Sequence, residues 1–496
     1  MNKTAAVIGS GFGGLSIALR LLSEGYKVTI FEKNSSVGGH ASQYKEKGYT
    51  FDMGPSIITL PFLIDELFQL FGEDRKSYLD LQALDPYYRI YFHDKTYIDY
   101  SGDENQMVEQ LTRFNTKDGK AYYSFMRYSK NLYKSVILDG LGSKPFLSMF
   151  DFIGYFPKAL ITGAILPSYW VVARFFKDFR ARFLFSFHAL FIGGNPFITP
   201  SVFLMLPYLE KDGGVWFTKG GMYSVVEALS ELFKKNGGVI KTNTEVTEIV
   251  VEDDAAKGVR VGPEFYSFDI VVSNSHFANT YLDLLKGRSR GKWKSSKIKK
   301  MHYSMSCVVL YLGIKKQYPQ LLHHTLIISK RYKGLIQDIF KSKVLPDDFS
   351  MYLHAPSRTD KSMAPEGCES LYLLVPVPNL AANIDWDVEA EPFSNKIIDF
   401  LENSFGLENL RNNIEVQKVF TPLNFRTERN NYLGACWSLQ PRYDQIASLR
   451  PHNKAENIKN LYFVGASVHP GGGVPGVILS AKATHKIILN DYGDKK

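Results

Sequence analysis

Residues 5–32 read AAVIGSGFGGLSIALRLLSEGYKVTIFE, and their order decides the fold. Residues 5–9 form a short apolar run of the kind a buried strand requires. Gly9, Gly11 and Gly14 then give the spacing G-x-G-x-x-G, with Phe12 and Gly13 between them. Residues 15–23 (LSIALRLLS) carry an apolar stripe at helical spacing, and Gly25 ends it. Residues 27–31 (KVTIF) read as a second strand that runs into Glu32 and Lys33. The first glycine of such a unit makes a tight turn. The second lets backbone approach a pyrophosphate, and the third lets helix and strand pack closely. The helix N-terminus offers free N–H groups and a positive dipole end to phosphates. Glu32 stands where a carboxylate accepts hydrogen bonds from ribose hydroxyls. The glycine spacing alone is weak evidence. In strand–turn–helix–strand context with the acidic residue in place, it predicts a dinucleotide site.

Composition bounds the rest. A chain of 496 residues holds two or three domains with large cores. Its 35 Phe and 29 Tyr fit either a wide apolar interior for an extended hydrophobic ligand or simply an aromatic-rich core. The net charge of +9 points to an anionic membrane surface more than to nucleic acid, since no nucleic-acid module or dense basic tract is present. Cys307, Cys368 and Cys436 lie far apart, form no CxxC and no zinc spacing, and read as free thiols in a reducing compartment. With the first strand so close to Met1, no signal peptide is expected.

Two further segments extend the cofactor reading. Gly38-Gly39-His40 follows Glu32, and residues 48–56 read GYTFDMGPS, with Gly54-Pro55-Ser56 at the end. Residues 460–480 read NLYFVGASVHPGGGVPGVILS. There a strand leads to Gly465-Ala466, then to a glycine loop ending in Gly473-Val474-Pro475 at the head of a helix. Small residues let backbone lie flat against a ring, and the helix dipole favours an electron-rich, reduced cofactor. Between them, Gly220-Gly221 opens a helix, and residues 239–250 (VIKTNTEVTEIV) and 268–273 (FDIVVS) read as strands, with Val246 among them.

The second glycine pair and the FDMGPS turn resemble the extended FAD motif of the amine oxidase and carotenoid desaturase superfamily. Segments 185–197 (FSFHALFIGGNPF), 318–325 (YPQLLHHT), 348–356 (DFSMYLHAP), 364–368 (APEGC), 420–426 (FTPLNFR) and 465–476 carry the resemblance over nearly the whole chain. The sequence resembles the bacterial-type phytoene desaturases. That resemblance implies FAD rather than NAD, with Val246 on the adenine side. It also implies a carotenoid-precursor substrate and Asp151 as a candidate acid or base. Four departures stand out. His40 occupies a place where Arg or Lys is usual, residues 465–469 read GASVH, Thr218-Lys219 replaces Pro-Arg, and Ser438-Leu439-Gln440 stands where a Glu is usual.

The expected fold is therefore α/β. A discontinuous Rossmann-type FAD-binding domain (1–88, 217–290 and 455–496) is expected with a mixed-sheet substrate domain (89–117, 201–216 and 291–454). A helical, membrane-associating subdomain (118–200) completes the division. Residues 146–176 are the most apolar tract, but their uncharged run, 159–173, is too short to span a bilayer. The tract reads either as buried helices or as a monotopic segment on the cytoplasmic face of a membrane. In the second case Lys158, Arg174, Lys177, Arg180 and Arg182 meet lipid phosphates. His188, His323 and His324 read as structural, and no metal site is expected, because no histidine has a motif-spaced partner. Oxygen or a quinone is the expected electron acceptor, and a homo-oligomer stays open. Isomerase, later-step or C30 desaturase, terminal-methyl oxygenase and a non-enzymatic prenyl carrier remain as alternatives.

Overall fold

The computed structural model describes residues 3–148, 150–154, 156–286 and 292–492. Strand Thr4–Ile8 lies at the centre of a five-stranded parallel sheet. It pairs with Lys27–Phe31 on one side and Ile270–Ser273 on the other. Val239–Lys241 and Leu461–Phe463 form the edges. Sequence-distant pieces thus build one sheet. Their near-continuous burial is what a parallel sheet covered on both faces requires. Helix Phe12–Ser23 packs with the C-terminal helix Val474–Tyr492 and with Met222–Lys235.

Residues 239–250 do not form one strand. The sheet strand stops at Lys241, and pairing resumes only at Glu248, in a separate three-stranded sheet. Between them the chain turns at Asn243, with φ of +49°, and Thr244 N–H donates to the Glu32 carbonyl. That hydrogen bond folds residues 244–247 over the end of the second strand.

A seven-stranded sheet forms the second layer, in the order Ile414–Phe420, Ser306–Ile314, Glu369–Val377, Met351–His354, His324–Ile327, Tyr88–Tyr91, Tyr97–Tyr100. It is antiparallel except where His324–Ile327 runs parallel to Tyr88–Tyr91. One face packs on helix Trp386–Asp399 through Leu310, Leu371, Ile397 and Leu401. The other carries Tyr88, Tyr311, Tyr352 and Tyr372 and meets the helical segment 116–213 through Phe125, Phe176, Phe185 and Phe187. Much of the aromatic excess thus lies between sheet and helices.

The apolar tract 146–176 is broken into short helices, Phe150–Ile153, Phe156–Ile161 and Ser168–Phe175. No helix among the described residues is long and apolar enough to cross a membrane.

Candidate active site

One cavity of about 1050 Å³ runs from the glycine turn of the parallel sheet to the aromatic face of the seven-stranded sheet. At its polar end Gly9, Gly11, Phe12 and Gly13 border Glu32 and Lys33. Gly14 does not line it. A Cβ there would sit 2.0 Å from the Gly9 carbonyl oxygen, so Gly14 serves the close helix–strand packing. Gly11 bridges to Gly38. Asn274, which no motif points to, lies beneath the whole turn. Its amide is 3.4 Å from the Gly9 carbonyl and would be within 3.6 Å of a Cβ at Gly9, Gly11, Gly13, Gly14 or Gly465. Its signal is structural only: it follows strand Ile270–Ser273, which lies beside the first strand.

Glu32 is buried. One oxygen accepts from Ser10 N–H and Oγ at 3.0 and 2.6 Å, the other from Asn34 N–H and Nδ2 at 2.9 and 3.0 Å. Two of those four donors are rotatable side-chain groups that ribose hydroxyls can replace. Thr244 and Val246, folded over Glu32, close this end.

Gly39, His40, Gly54, Pro55 and Ser56 line the middle of the cavity, facing Gly465, Ala466, Gly473, Val474 and Pro475. A Cβ on Gly54 would meet the His40 carbonyl oxygen at 2.2 Å, so these two segments interlock. Burial, with Arg429 nearby, lowers the His40 pKa to about 4. The imidazole is neutral at pH 7 and bonds to Asn431 Oδ1 at 3.0 Å. The cation absent at position 40 comes instead from Arg429, remote in sequence, which lines the same wall and donates to Ser42 Oγ. A second buried cation, Arg450, donates to the carbonyls of Val468, Gln445 and Ala466 and pins the C-terminal loop. It has no carboxylate partner among the described residues; burial brings its pKa down to about 10. A glycine cradle, the buried Glu32 carboxylate at the end of the second strand, a helix N-terminus and the guanidinium groups of Arg429 and Arg450 form a set that fits FAD.

Asp151 lies elsewhere and does not line the cavity. Its carboxylate accepts from the N–H groups of Leu147 and Ser148 at 2.9 and 2.8 Å and from Ser148 Oγ at 3.2 Å. Its partial burial pushes the pKa up, but these backbone bonds outweigh that and hold it below the usual carboxylate range. A carboxylate tied to its own turn in this way is poorly suited to take a proton from a ligand.

The histidines assemble in a way their spacing hid. His324 and His354 are cross-strand neighbours, and His323 precedes the first of them. One ring nitrogen from each of the three lies within 4.8 Å of the others. His354 Nε2 is 3.2 Å from His323 Nε2, whose Nδ1 meets Thr359 Oγ1 at 2.6 Å, while His324 Nδ1 is 2.7 Å from Tyr352 Oη. Burial lowers the pKa of all three, that of His323 to about 3. No motif spacing joins these histidines in sequence; strand register brings them together. A divalent ion there would find no compensating carboxylate among these partners, so the group reads as a hydrogen-bonded cluster. Two of the three cysteines also meet, with Cys307 and Cys436 Sγ atoms 3.1 Å apart in the cavity wall.

The model of the flavin containing amine oxidoreductases matches residues 12–487. The chain is 40% identical over 493 residues to a lycopene-forming phytoene desaturase of Pseudescherichia vulneris, covering 99% of this chain and 100% of that one. A lycopene-forming phytoene desaturase of Pantoea ananas is 40% identical over 492 residues, with 99% of each chain covered. The chain belongs to the flavin-containing amine oxidoreductase family, among the bacterial-type phytoene desaturases. This flavoenzyme has the family fold: an oxidoreductase from Methanosarcina mazei superposes with a TM-score of 0.66 at 18% identity, over 97% of this chain and 100% of that one. Its cofactor is FAD.

Proposed function

We propose that this flavoenzyme desaturates 15-cis-phytoene towards lycopene, introducing conjugated double bonds into a C40 polyene precursor. The observation that carries the proposal is the continuity of the cavity. The cradle at Gly54–Ser56 and Gly465–Pro475 opens without a partition onto a wall of Leu132, Val136, Phe183, Phe187, Phe191, Phe203, Leu326 and Ile328. A long apolar chain can therefore lie against the cofactor. When bound, FAD supplies a two-electron hydride acceptor. The protein's residues do the rest. The aromatic wall holds the polyene in one orientation and excludes water. Arg450 and the N-terminus of helix Val474–Tyr492 set a positive potential at the cradle.

The same cavity reaches the lining residues Ala159, Thr162, Ala164 and Ile165 of the apolar tract. The outer side of that tract exposes Phe150 (82%), Ile161 (88%) and Trp170 (64%). Those exposed side chains support a peripheral seat on a membrane, through which a bilayer-dissolved substrate enters; in this reading the seat is on the cytoplasmic face and oxygen or a quinone accepts the electrons. Arg174 and Lys177 are exposed beside the patch. Arg180 is not available to lipid, being paired with Asp94 and Asp178, and Arg182 donates to the Phe176 carbonyl. The side chain of Lys158 lies outside the described residues.

Expression in a bacterium that accumulates phytoene tests the substrate and product. Lycopene in the pigment extract is the expected result. Unchanged phytoene beside a purified yellow protein would reject this substrate, and a colourless protein that takes up no FAD would reject the flavoenzyme itself.

A further inference from the structure

Two thiols sit together in the cavity wall. Cys307 lies on strand Ser306–Ile314, and Cys436 follows the turn Tyr432–Gly434, 129 residues later in the chain. Their Sγ atoms are 3.1 Å apart. The backbone holds the two segments side by side at this point. Cys436 N–H donates to the Met305 carbonyl at 3.3 Å, and Ser306 Oγ donates to the Gly434 carbonyl at 2.6 Å. Tyr303 and Leu439 form an antiparallel bridge just beyond. Leu433 and Ser438, on either side of Cys436, both have positive φ, +56° and +67°. A bent segment pinned beside the strand is what brings the two sulfurs into contact.

The two thiols differ in exposure. Cys307 is buried, and burial with Cys436 beside it pushes its pKa well above the ordinary value, so it stays a thiol. Cys436 is half-buried and lines the cavity. A small oxidant that enters the cavity therefore meets Cys436 first, with a second sulfur already behind it. That is the arrangement of a reactive thiol and its resolving partner. A disulfide bond is about 2.0 Å long, so the sulfurs have a gap of about 1 Å to close. With the backbones already paired, side-chain rotation closes it. Cys368, the third thiol, forms no such pair among the described residues.

We propose that Cys307 and Cys436 are a peroxide-sensitive pair that oxidises reversibly to a disulfide. The Cys436 sulfur attacks one oxygen of hydrogen peroxide and the O–O bond breaks. The thiol proton leaves with the departing hydroxide as water, and a sulfenic acid remains on Cys436. The Cys307 sulfur then attacks the Cys436 sulfur, the S–O bond breaks, and the Cys307 proton leaves with the hydroxyl as a second water. Peroxide takes two electrons and the thiol pair loses two; an external dithiol reverses the step. On the reading that oxygen accepts the electrons of desaturation, the enzyme makes this oxidant in the same cavity. The new bond ties the strand to a segment that also touches the cofactor loops: Asn431 bonds to His40, and Arg429 donates to Ser42. The disulfide thus fastens one side of the cofactor end to the seven-stranded sheet, and flavin is released at a higher temperature.

Purified flavoprotein, reduced and then freed of dithiol, is treated with hydrogen peroxide and digested without reductant. Mass spectrometry should find the peptides of Cys307 and Cys436 joined and lighter by two hydrogens, and dithiothreitol should separate them again. Cys368 should enter no disulfide. Added peroxide makes this outcome independent of the acceptor the enzyme uses. Flavin fluorescence on heating should show release several degrees higher in the oxidised protein than in the reduced one, and Cys307→Ser should abolish that peroxide-dependent shift. In Cys307→Ser, dimedone should trap Cys436 as a sulfenic acid. In Cys436→Ser, Cys307 should stay unmodified at the same dose. Two free thiols in peroxide-treated wild type, or a disulfide that appears only after unfolding in urea, would overturn the proposal. If a variant fails to fold, wild type decides: equal release temperatures for the linked and free forms overturn the fastening role.

Discussion

At Gly14 and Gly11 the same substitution has two different costs. A methyl on Gly14 collides with the Gly9 carbonyl oxygen at 2.0 Å, a backbone atom that cannot swing aside as the end of a side chain can. A methyl on Gly11 meets only the Asn274 amide at 3.2 Å and the Gly38 carbonyl at 3.8 Å. Gly14→Ala should therefore lower the melting temperature and abolish flavin retention together. Gly11→Ala should fold normally and lose flavin, because its Cβ intrudes where the pyrophosphate approaches. Thermal melts and the ratio of 450 nm to 280 nm absorbance separate the two outcomes. Equal loss of stability in both variants would contradict this division of roles. Glu32→Ala removes the acceptor for ribose hydroxyls and leaves Ser10 and Asn34 without their shared partner. It should weaken FAD by about 1.5–3 kcal/mol, the range for hydrogen bonds to a charged group. Calorimetric titration of apoprotein with FAD measures this directly.

Among the secondary elements, helix Met222–Lys235 begins on a buried acid. Asp52, at the end of strand Tyr49–Asp52, accepts from Met222 N–H at 2.8 Å and Tyr223 N–H at 3.3 Å. Burial raises its pKa to about 7 even though these backbone donors pull it down. The unfolded carboxyl titrates near 3.8, so between pH 4 and 7 the folded state holds more protons. Stability then falls as pH rises through that window and levels off above it, by up to a few kcal/mol for this one group. Asp52→Asn keeps an acceptor for Met222 N–H and removes the titration. Its melting temperature should rise relative to wild type at pH 8 and change least at pH 4. An identical pH profile for both proteins would show that Asp52 does not titrate in this range. The C-terminal loop depends on Arg450 in a comparable way. Arg450→Met would leave the carbonyls of Ala466 and Val468 without their donor, each costing about 1–3 kcal/mol if it stays unsatisfied. Flavin should dissociate at a lower temperature in that variant, which flavin fluorescence on heating would register.

For the whole molecule, the arrangement is a cavity between two sheets with an apolar helical rim. The rim's exposed Phe150, Ile161 and Trp170 lie close in sequence to the residues that line the cavity, and exposed Arg174 and Lys177 flank them. Basic residues near an anionic lipid surface contribute about 1 kcal/mol each. Replacing Arg174 and Lys177 with Gln should thus cost about 2 kcal/mol of surface affinity, roughly 30-fold in partitioning, with little change in folding. Ile161→Glu with Trp170→Glu should reduce binding that survives high salt. Flotation with anionic liposomes at low and high salt reads both terms, and wild-type flotation by both variants would place the membrane contact elsewhere.

The local half of this protein was legible from its residues. A strand, a glycine turn and an apolar helix followed by Glu32 identify a dinucleotide cradle, because tight turns, close backbone approach and helix dipoles are properties of short stretches. The extended pattern of glycine pairs likewise located nearly every segment that lines the cofactor end. Long-range assembly was not legible. Nothing in spacing joins Arg429 to His40, slides Asn274 beneath the glycine turn, gathers His323, His324 and His354, or sets His188 against Glu210 and Tyr88. Those contacts come from sheet register and helix packing, which bring together groups that are tens to hundreds of residues apart. Asp151 illustrates the converse: its residue type suited catalysis, but a local turn claimed both its carboxylate and its position. The residues alone were enough to name the cofactor and the class of lipid chain oxidised, since both follow from local backbone geometry and a family pattern. Which groups share the cavity wall was settled by sheet register and helix packing, because burial and partners, not residue type alone, fix what a side chain can do there.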